Sequence, residues 1–173
     1  MAHIGVLKVM EEAGLRPDMI SGVSMGSIIG GMYSIGYSPD SLYSILKNTD
    51  WNLILSNNIS ENKVIFPEKY NFDNSAMSLP IASKKIRLPS GLINGQQIES
   101  MLSYYAWPSA RISEFSKLPI PFICLATDIR TIGIVDFTHG YLPDAMRASM
   151  AVPSIFTPVV MDTAVLIDGG LLR

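Results

Sequence analysis

The sequence predicts an α/β fold, and two observations carry that prediction. A serine turn flanked by glycines, Gly22-Val23-Ser24-Met25-Gly26, joins an apolar strand-like run to a helix-like run of small residues. Far along the chain a second apolar run, Ala164 to Ile167, ends in Asp168-Gly169-Gly170. That is the placement of a strand end at the ligand crevice of an open α/β sheet.

The elements are justified in chain order. Ala2 to Ala13 reads as a helix, with Ile4, Leu7, Val9 and Met10 as its apolar stripe and Gly14 as its stop. Pro17 blocks continuation, and Asp18 to Ser21 reads as a short buried strand. Ser27 to Ile35 is predicted helical, its glycines allowing close approach to that strand. Ser38 then caps a helix with Pro39 at its first position and Leu42, Ile45 and Leu46 on its inner face. From about Asn48 to Pro89 the periodicity weakens. Trp51, Asn57, Asn58, Phe66, Tyr70, Phe72 and Met77 mark an irregular insertion or lid-like region over 48–89, its aromatics serving as anchors to the core. Beyond it, Asn94 is the expected cap of an amphipathic helix from Gln96 to Ala106, carrying Ile98, Met101, Leu102 and Tyr105 on one side. Ile120 to Ala126 and Ile132 to Phe137 read as strands joined by a turn at Asp128-Ile129-Arg130. Pro143 and Asp144 open a short helix through Ala151, which Pro153 breaks.

Length and composition suit one domain with a real core, since 173 residues lie in the usual range. Charged residues make up only 16% against 48% hydrophobic, a lean surface suited to further protein segments or lipid. A net charge of −2 offers no electrostatic footprint for nucleic acid. No apolar run reaches the roughly 18 residues that span a bilayer, and no signal peptide is visible at Met1. The lone Cys124 lies in an apolar strand and excludes an internal disulfide framework. No metal-ligand cluster has usable spacing, so neither metal nor cofactor is expected.

Ser24 is the first candidate for chemistry. A serine at a sharp strand-to-helix turn takes a strained conformation that lifts its hydroxyl clear, and glycines two residues to either side let the backbone pass. The following helix points its free amides and positive dipole end at the place where negative charge would develop in acyl transfer. The hydroxyl needs a base. The two histidines offer weak settings: His3 sits at the start of a helix, as a surface residue would, and His139 precedes Gly140 in a turn. A carboxylate withdrawn from water can serve instead, and Asp168 has that setting at a strand end. Its structural alternative is an Asp-Gly hairpin turn. Asp128 and Asp136 are further carboxylates, expected to be solvated at a turn and on a strand surface.

These segments together resemble one family. The run His3-Ile4-Gly5-Val6-Leu7, the elbow Gly22 to Gly26, Ala126-Thr127-Asp128, the stretch Arg147-Ala148-Ser149-Met150-Ala151-Val152-Pro153-Ser154 and Asp168-Gly169-Gly170 are similar, in order and spacing, to a bacterial patatin-like phospholipase. The resemblance covers nearly the whole chain. It implies a three-layer fold, a central and mostly parallel sheet flanked by helices, and a catalytic dyad without histidine. Ser24 would be the nucleophile and Asp168 the general base, acting on phospholipid or other lipid esters. The family carries a first strand and a glycine-rich oxyanion loop before the segment matching Ala2 to Gly5, and further elements after Gly170. Both ends are therefore expected to be truncated relative to that pattern.

Two other functions fit parts of the sequence. A triad esterase would use Ser24, Asp128 or Asp136, and His139, although only 23 residues precede Ser24 where that fold places several strands. A catalytically inactive lipid-binding domain would follow from loss of the oxyanion loop. The expected partners are a lipid or phospholipid substrate and, peripherally, a membrane surface. The sequence leaves the compartment open: cytoplasmic, or periplasmic and outer-membrane associated if the parent protein carries a signal peptide and a barrel domain, as some relatives do.

Overall fold

The computed structural model describes residues 1–55, 81–82, 85–86 and 91–172. Helix α1 (Ala2–Glu12) ends as predicted at Gly14, whose φ of +72° suits glycine. Strand β1 (Ile20–Val23) starts two residues later than predicted and is only partly buried, because among the described residues it pairs on one edge alone. Helix α2 (Met25–Ser34) buries every residue from Ser27 to Ser34. It lies so close to β1 that a Cβ on Gly30 would come within 2.8 Å of Ile20 Cγ2.

Helix α3 (Pro39–Asn48) has the predicted cap, Ser38 Oγ accepting from the Ser41 N–H at 3.2 Å, and buries Leu42 and Leu46. Its Ile45 is partly buried against the same core. The irregular region expected over 48–89 begins with order: a short helix α4 (Trp51–Ile54) is capped by Asp50 Oδ1, and Trp51 Nε1 donates to Leu46 O at 3.0 Å. Most of that expected insertion, with Asn57, Asn58, Phe66, Tyr70, Phe72 and Met77, lies outside the described residues. Strands β2 (Ile81–Ala82) and β3 (Lys85–Ile86) pair antiparallel, and β4 (Gly91–Ile93) pairs parallel with β7 (Ser154–Phe156).

Helix α5 (Gln96–Tyr105) has Gly95 at its N-cap, at φ +78°, rather than the predicted Asn94. The Asn94 carbonyl instead accepts from Arg147 Nη2 at 3.0 Å and from Thr157 Oγ1 at 3.1 Å. Arg147 is 4% exposed, also donates to Thr157 O, and stacks 5.3 Å from the Phe156 ring. Burial pushes its pKa down. One cation thereby ties the start of α5 to helix α6 (Leu142–Ser149) and to β7. Helix α6 ends two residues before the predicted Ala151, with the Met150 N–H closing on Met146 O.

The main sheet forms around β5 (Phe122–Asp128), with β6 (Gly133–Phe137), β8 (Val159–Met161) and β9 (Ala164–Asp168). It is mixed: β1 and β5 run parallel, while β5 is antiparallel to β6 and β9, and β9 to β8. Strand β6 pairs with Cys124 to Asp128, overlapping both the β1 partners, Phe122 to Leu125, and the β9 partners, Ala126 to Asp128. A strand has two edges, so β1 and β9 must share the edge opposite β6. They approach from opposite directions, and their C-terminal ends meet in successive rows of β5.

The core beneath this sheet is continuous from Ile28, Ile29 and Met32 of α2 through Ile98 and Leu102 of α5 to Phe115 and Phe122, whose rings lie 6.3 Å apart. Among the described residues no helix is long and apolar enough to cross a membrane.

Asp128 departs from the solvated turn expected of it. It is 5% exposed, and its carboxylate accepts from the N–H groups of Arg130 and Val165 and the hydroxyl of Thr131. These bonds, the Arg130 N–H foremost, hold its pKa below the usual carboxylate range. A lowered folded value means that the charged form stabilises the fold above the ordinary pKa of about 3.9 and that this stabilisation fades as pH falls through the lowered value. Asp128→Asn is therefore expected to lower the melting temperature at pH 7 and to flatten its decline below pH 4. Parallel pH profiles of the two proteins would count against the carboxylate's role.

Candidate active site

Ser24 occupies the turn between β1 and α2 with φ 53° and ψ −127°, a conformation L-residues rarely adopt. Such a backbone costs on the order of 1–3 kcal/mol and persists only where its surroundings enforce it. Three contacts do so. The Ser24 N–H donates to Ser149 Oγ at 2.9 Å, the Ser27 hydroxyl donates to Ser24 O at 2.6 Å, and the Ser27 N–H donates to the same carbonyl.

The two elbow glycines are not equivalent, which corrects the expectation that each makes room for the backbone. A Cβ on Gly22 would lie 2.6 Å from Ser27 Cα and 2.7 Å from Gly26 O, both backbone atoms. A Cβ on Gly26 would meet nothing nearer than His3 Nε2, at 3.8 Å. Val23 and Met25 of the same motif are partly buried and exposed, respectively.

Asp168 reaches the serine through the sheet. It ends β9 opposite Ala126, one row beyond the Val23–Leu125 pair that ends β1. Successive rows are about 3.3 Å apart, so residues remote in sequence come together where the two strand ends meet. The aspartate is 7% exposed, its Oδ1 accepts from the Gly170 N–H at 2.7 Å, and its own N–H donates to Ala151 O. Gly169 packs so tightly that a Cβ there would come within 2.5 Å of Leu125 O. The chain leaves Asp168 in a 3-10 turn, Gly169–Leu172, and not in a hairpin. Among the described residues no hydrogen bond joins Ser24 Oγ to Asp168. Such bonds commonly tighten only around substrate.

The other candidates lie apart. Phe137 pairs with Cys124, which sets His139 level with Phe122 on the opposite edge of β5, roughly 13 Å along the strand from the row of Asp168. His139 is exposed, bridges to Glu114, and lies 3.4 Å from Thr138 Oγ1. Asp136 is exposed on β6, and Asp128 is held in its turn. His3 is exposed on α1, yet its ring borders the first turn of α2.

Beneath the elbow lies a small polar cluster. Cys124, as predicted, is buried, and burial pushes its thiol up to about 11, so it stays protonated and unreactive near neutral pH. Its Sγ donates to Ala145 O at 3.2 Å. Ser149, fully buried in the last turn of α6, touches the elbow through the Ser24 N–H, a contact that sequence reasoning does not single out: a hydroxyl between Ala148 and Met150 is the available signal. A separate cavity of about 200 Å³, lined by Asn94, Glu99, Asp144, Arg147 and Thr157, contains neither Ser24 nor Asp168. Among the described residues no three His, Cys, Asp or Glu side chains gather closely enough to hold a metal ion.

Comparison with known proteins bears on this arrangement. The family model described as patatin-like phospholipase matches residues 1–173. Uncharacterized NTE family proteins of Mycobacterium bovis and Mycobacterium tuberculosis are each 29% identical over 171 residues, covering 99% of this chain and 39% of their own length. The lysophospholipase NTE1 of Candida albicans is 25% identical over 173 residues, covering 99% of this chain and 10% of its own. The chain thus spans about two-fifths of the mycobacterial relatives and a tenth of the yeast one.

Proposed function

Because the chain belongs to the patatin-like phospholipase family, we propose that it forms the reactive centre of a serine hydrolase acting on phospholipid or lysophospholipid esters through Ser24 and Asp168. The observation that carries this reading is the head-on meeting of β1 and β9 on one edge of β5, which brings the strained turn of Ser24 and the buried carboxylate of Asp168 to successive rows of that strand.

The chemistry runs in two halves. Ser24 Oγ bonds to the ester carbonyl carbon while Asp168 takes the hydroxyl proton. At the start of α2 the Ser27 N–H is taken by Ser24 O, which leaves the N–H groups of Met25 and Gly26 as the donors offered to the oxygen that becomes negative. Collapse breaks the carbon–oxygen ester bond, and the alcohol leaves with the proton from Asp168. Water then attacks the acyl-enzyme, Asp168 accepts its proton and returns it to Ser24, and the fatty acid is released.

The name of the Candida albicans relative, lysophospholipase, supports a lipid ester as substrate, and peripheral contact with a membrane surface belongs to the same proposal. So does a cytoplasmic or a periplasmic, outer-membrane-associated compartment. A fluorophosphonate probe is expected to label the protein at Ser24, with labelling preserved in His139→Ala and His3→Gln. Equal labelling of Ser24→Ala would sink the assignment. Loss of reaction in His139→Ala would favour a triad, and ester turnover by the protein before it meets the probe would remove an inactive lipid-binding role.

A further inference from the structure

Ser149 stands where three parts of the site join. Its Oγ accepts the Ser24 N–H at 2.9 Å and donates its proton to Leu125 O at 2.6 Å. Leu125 is the residue of β5 that pairs with Val23, the residue before the nucleophile, and its carbonyl is the atom against which Gly169 packs. One fully buried hydroxyl therefore couples helix α6 to the nucleophile's own amide and to the strand row where both reactive ends arrive.

We infer that Ser149 is a positioning residue for acylation, fixing the Ser24 amide from beneath so that the nucleophile keeps its left-handed conformation and raised Oγ. The inference rests on the proposed role of Ser24. The chemistry at this position is specific. An alanine would remove the acceptor of the Ser24 N–H and a donor to the Leu125 carbonyl and free the elbow to relax. A cysteine would keep a similar volume but accept more weakly. Ser34 supplies the matched control: it is also fully buried, on α2, but among the described residues its Oγ has no hydrogen-bond partner, so Ser34→Ala removes a hydroxyl without removing a bond described there.

The test compares Ser149→Ala, Ser149→Cys and Ser34→Ala in the full chain by three readouts. These are the maximal rate constant for fluorophosphonate labelling of Ser24, the probe's reversible affinity, and hydrogen exchange at the Ser24 amide. Loss of the clamp is expected to slow labelling of folded Ser149→Ala by about 10- to 100-fold with affinity unchanged. Exchange of the Ser24 amide should accelerate, while Ser34→Ala labels like the wild type. If Ser149→Ala does not fold, Ser149→Cys should show the same split at several-fold size. A labelling rate constant equal to wild type in either Ser149 variant, or an equal loss in Ser34→Ala, overturns the positioning role. Absence of labelling in the wild type defeats the nucleophile role of Ser24 and the acylation role of Ser149 with it. Amide exchange at Ser24 separates the two failures, since it reports the clamp whether or not the serine reacts.

Discussion

Asp168→Asn is expected to leave the chain folded and to reduce ester turnover by about 10³-fold, within the range that a positioned general base contributes. The fold should survive because the side chain's hydrogen bond seen among the described residues survives, somewhat weakened. Gly170 donates to Oδ1 at 2.7 Å, and an asparagine carbonyl oxygen also accepts that N–H. The backbone bond from Asp168 N–H to Ala151 O and the pairing with Ala126 do not involve the side chain. What is lost is a group able to take the Ser24 proton, because an amide has no useful basicity. Turnover of a chromogenic ester and the melting temperature, measured on the same preparations, separate the two effects. Turnover within tenfold of wild type would show that Asp168 is not the base, whereas lost activity with a collapsed melting temperature would make it a structural residue.

The parts of this arrangement that can be read from sequence are those whose cause is local. A serine cap followed by proline at Ser38-Pro39, a glycine stop at Gly14 and the 3.6-residue stripe of α5 each depend on a handful of neighbouring residues, and each is where it is expected. The elbow and the Asp168 strand end are legible for the same reason. Three-residue strands such as β7 and β8 are not, since runs this short carry no distinctive period and exist only because of what pairs with them. The sharing of one β5 edge by β1 and β9 is non-local altogether. It alone makes neighbours of Ser24 and Asp168, which the family resemblance could assert but residue spacing could not. Asp128 shows the limit from the other side: its bonds to Arg130 and Thr131 are local turn bonds, but the Val165 N–H that reaches it from β9 is a non-local partner that residue spacing does not announce.

Gly22→Ala is expected to cost several kcal/mol of stability, above the roughly 1–3 kcal/mol typical of overpacked sites, whereas Gly26→Ala should be close to neutral. The difference lies in what each new methyl meets. At Gly22 all three nearest atoms are backbone, Ser27 Cα at 2.6 Å and Gly26 O and C at 2.7 and 2.9 Å, so no side-chain rotation can relieve the clash. The first turn of α2 would have to move away from β1. It cannot move alone, because the Ser27 hydroxyl and N–H hold Ser24 O and Ser149 holds the Ser24 N–H. Relief of the clash therefore displaces the nucleophile, and Gly22→Ala should lose labelling at Ser24 along with stability. At Gly26 the nearest atom is the end of the exposed His3 side chain, 3.8 Å away, which is ordinary contact. Gly26 is the second residue of α2, in its first turn, so alanine there gains only part of the roughly 1 kcal/mol of propensity that it holds over glycine in a helix interior. Urea unfolding of the two variants reads the contrast directly, and similar midpoints for both would mean that the elbow accommodates a methyl by a movement the backbone contacts should forbid.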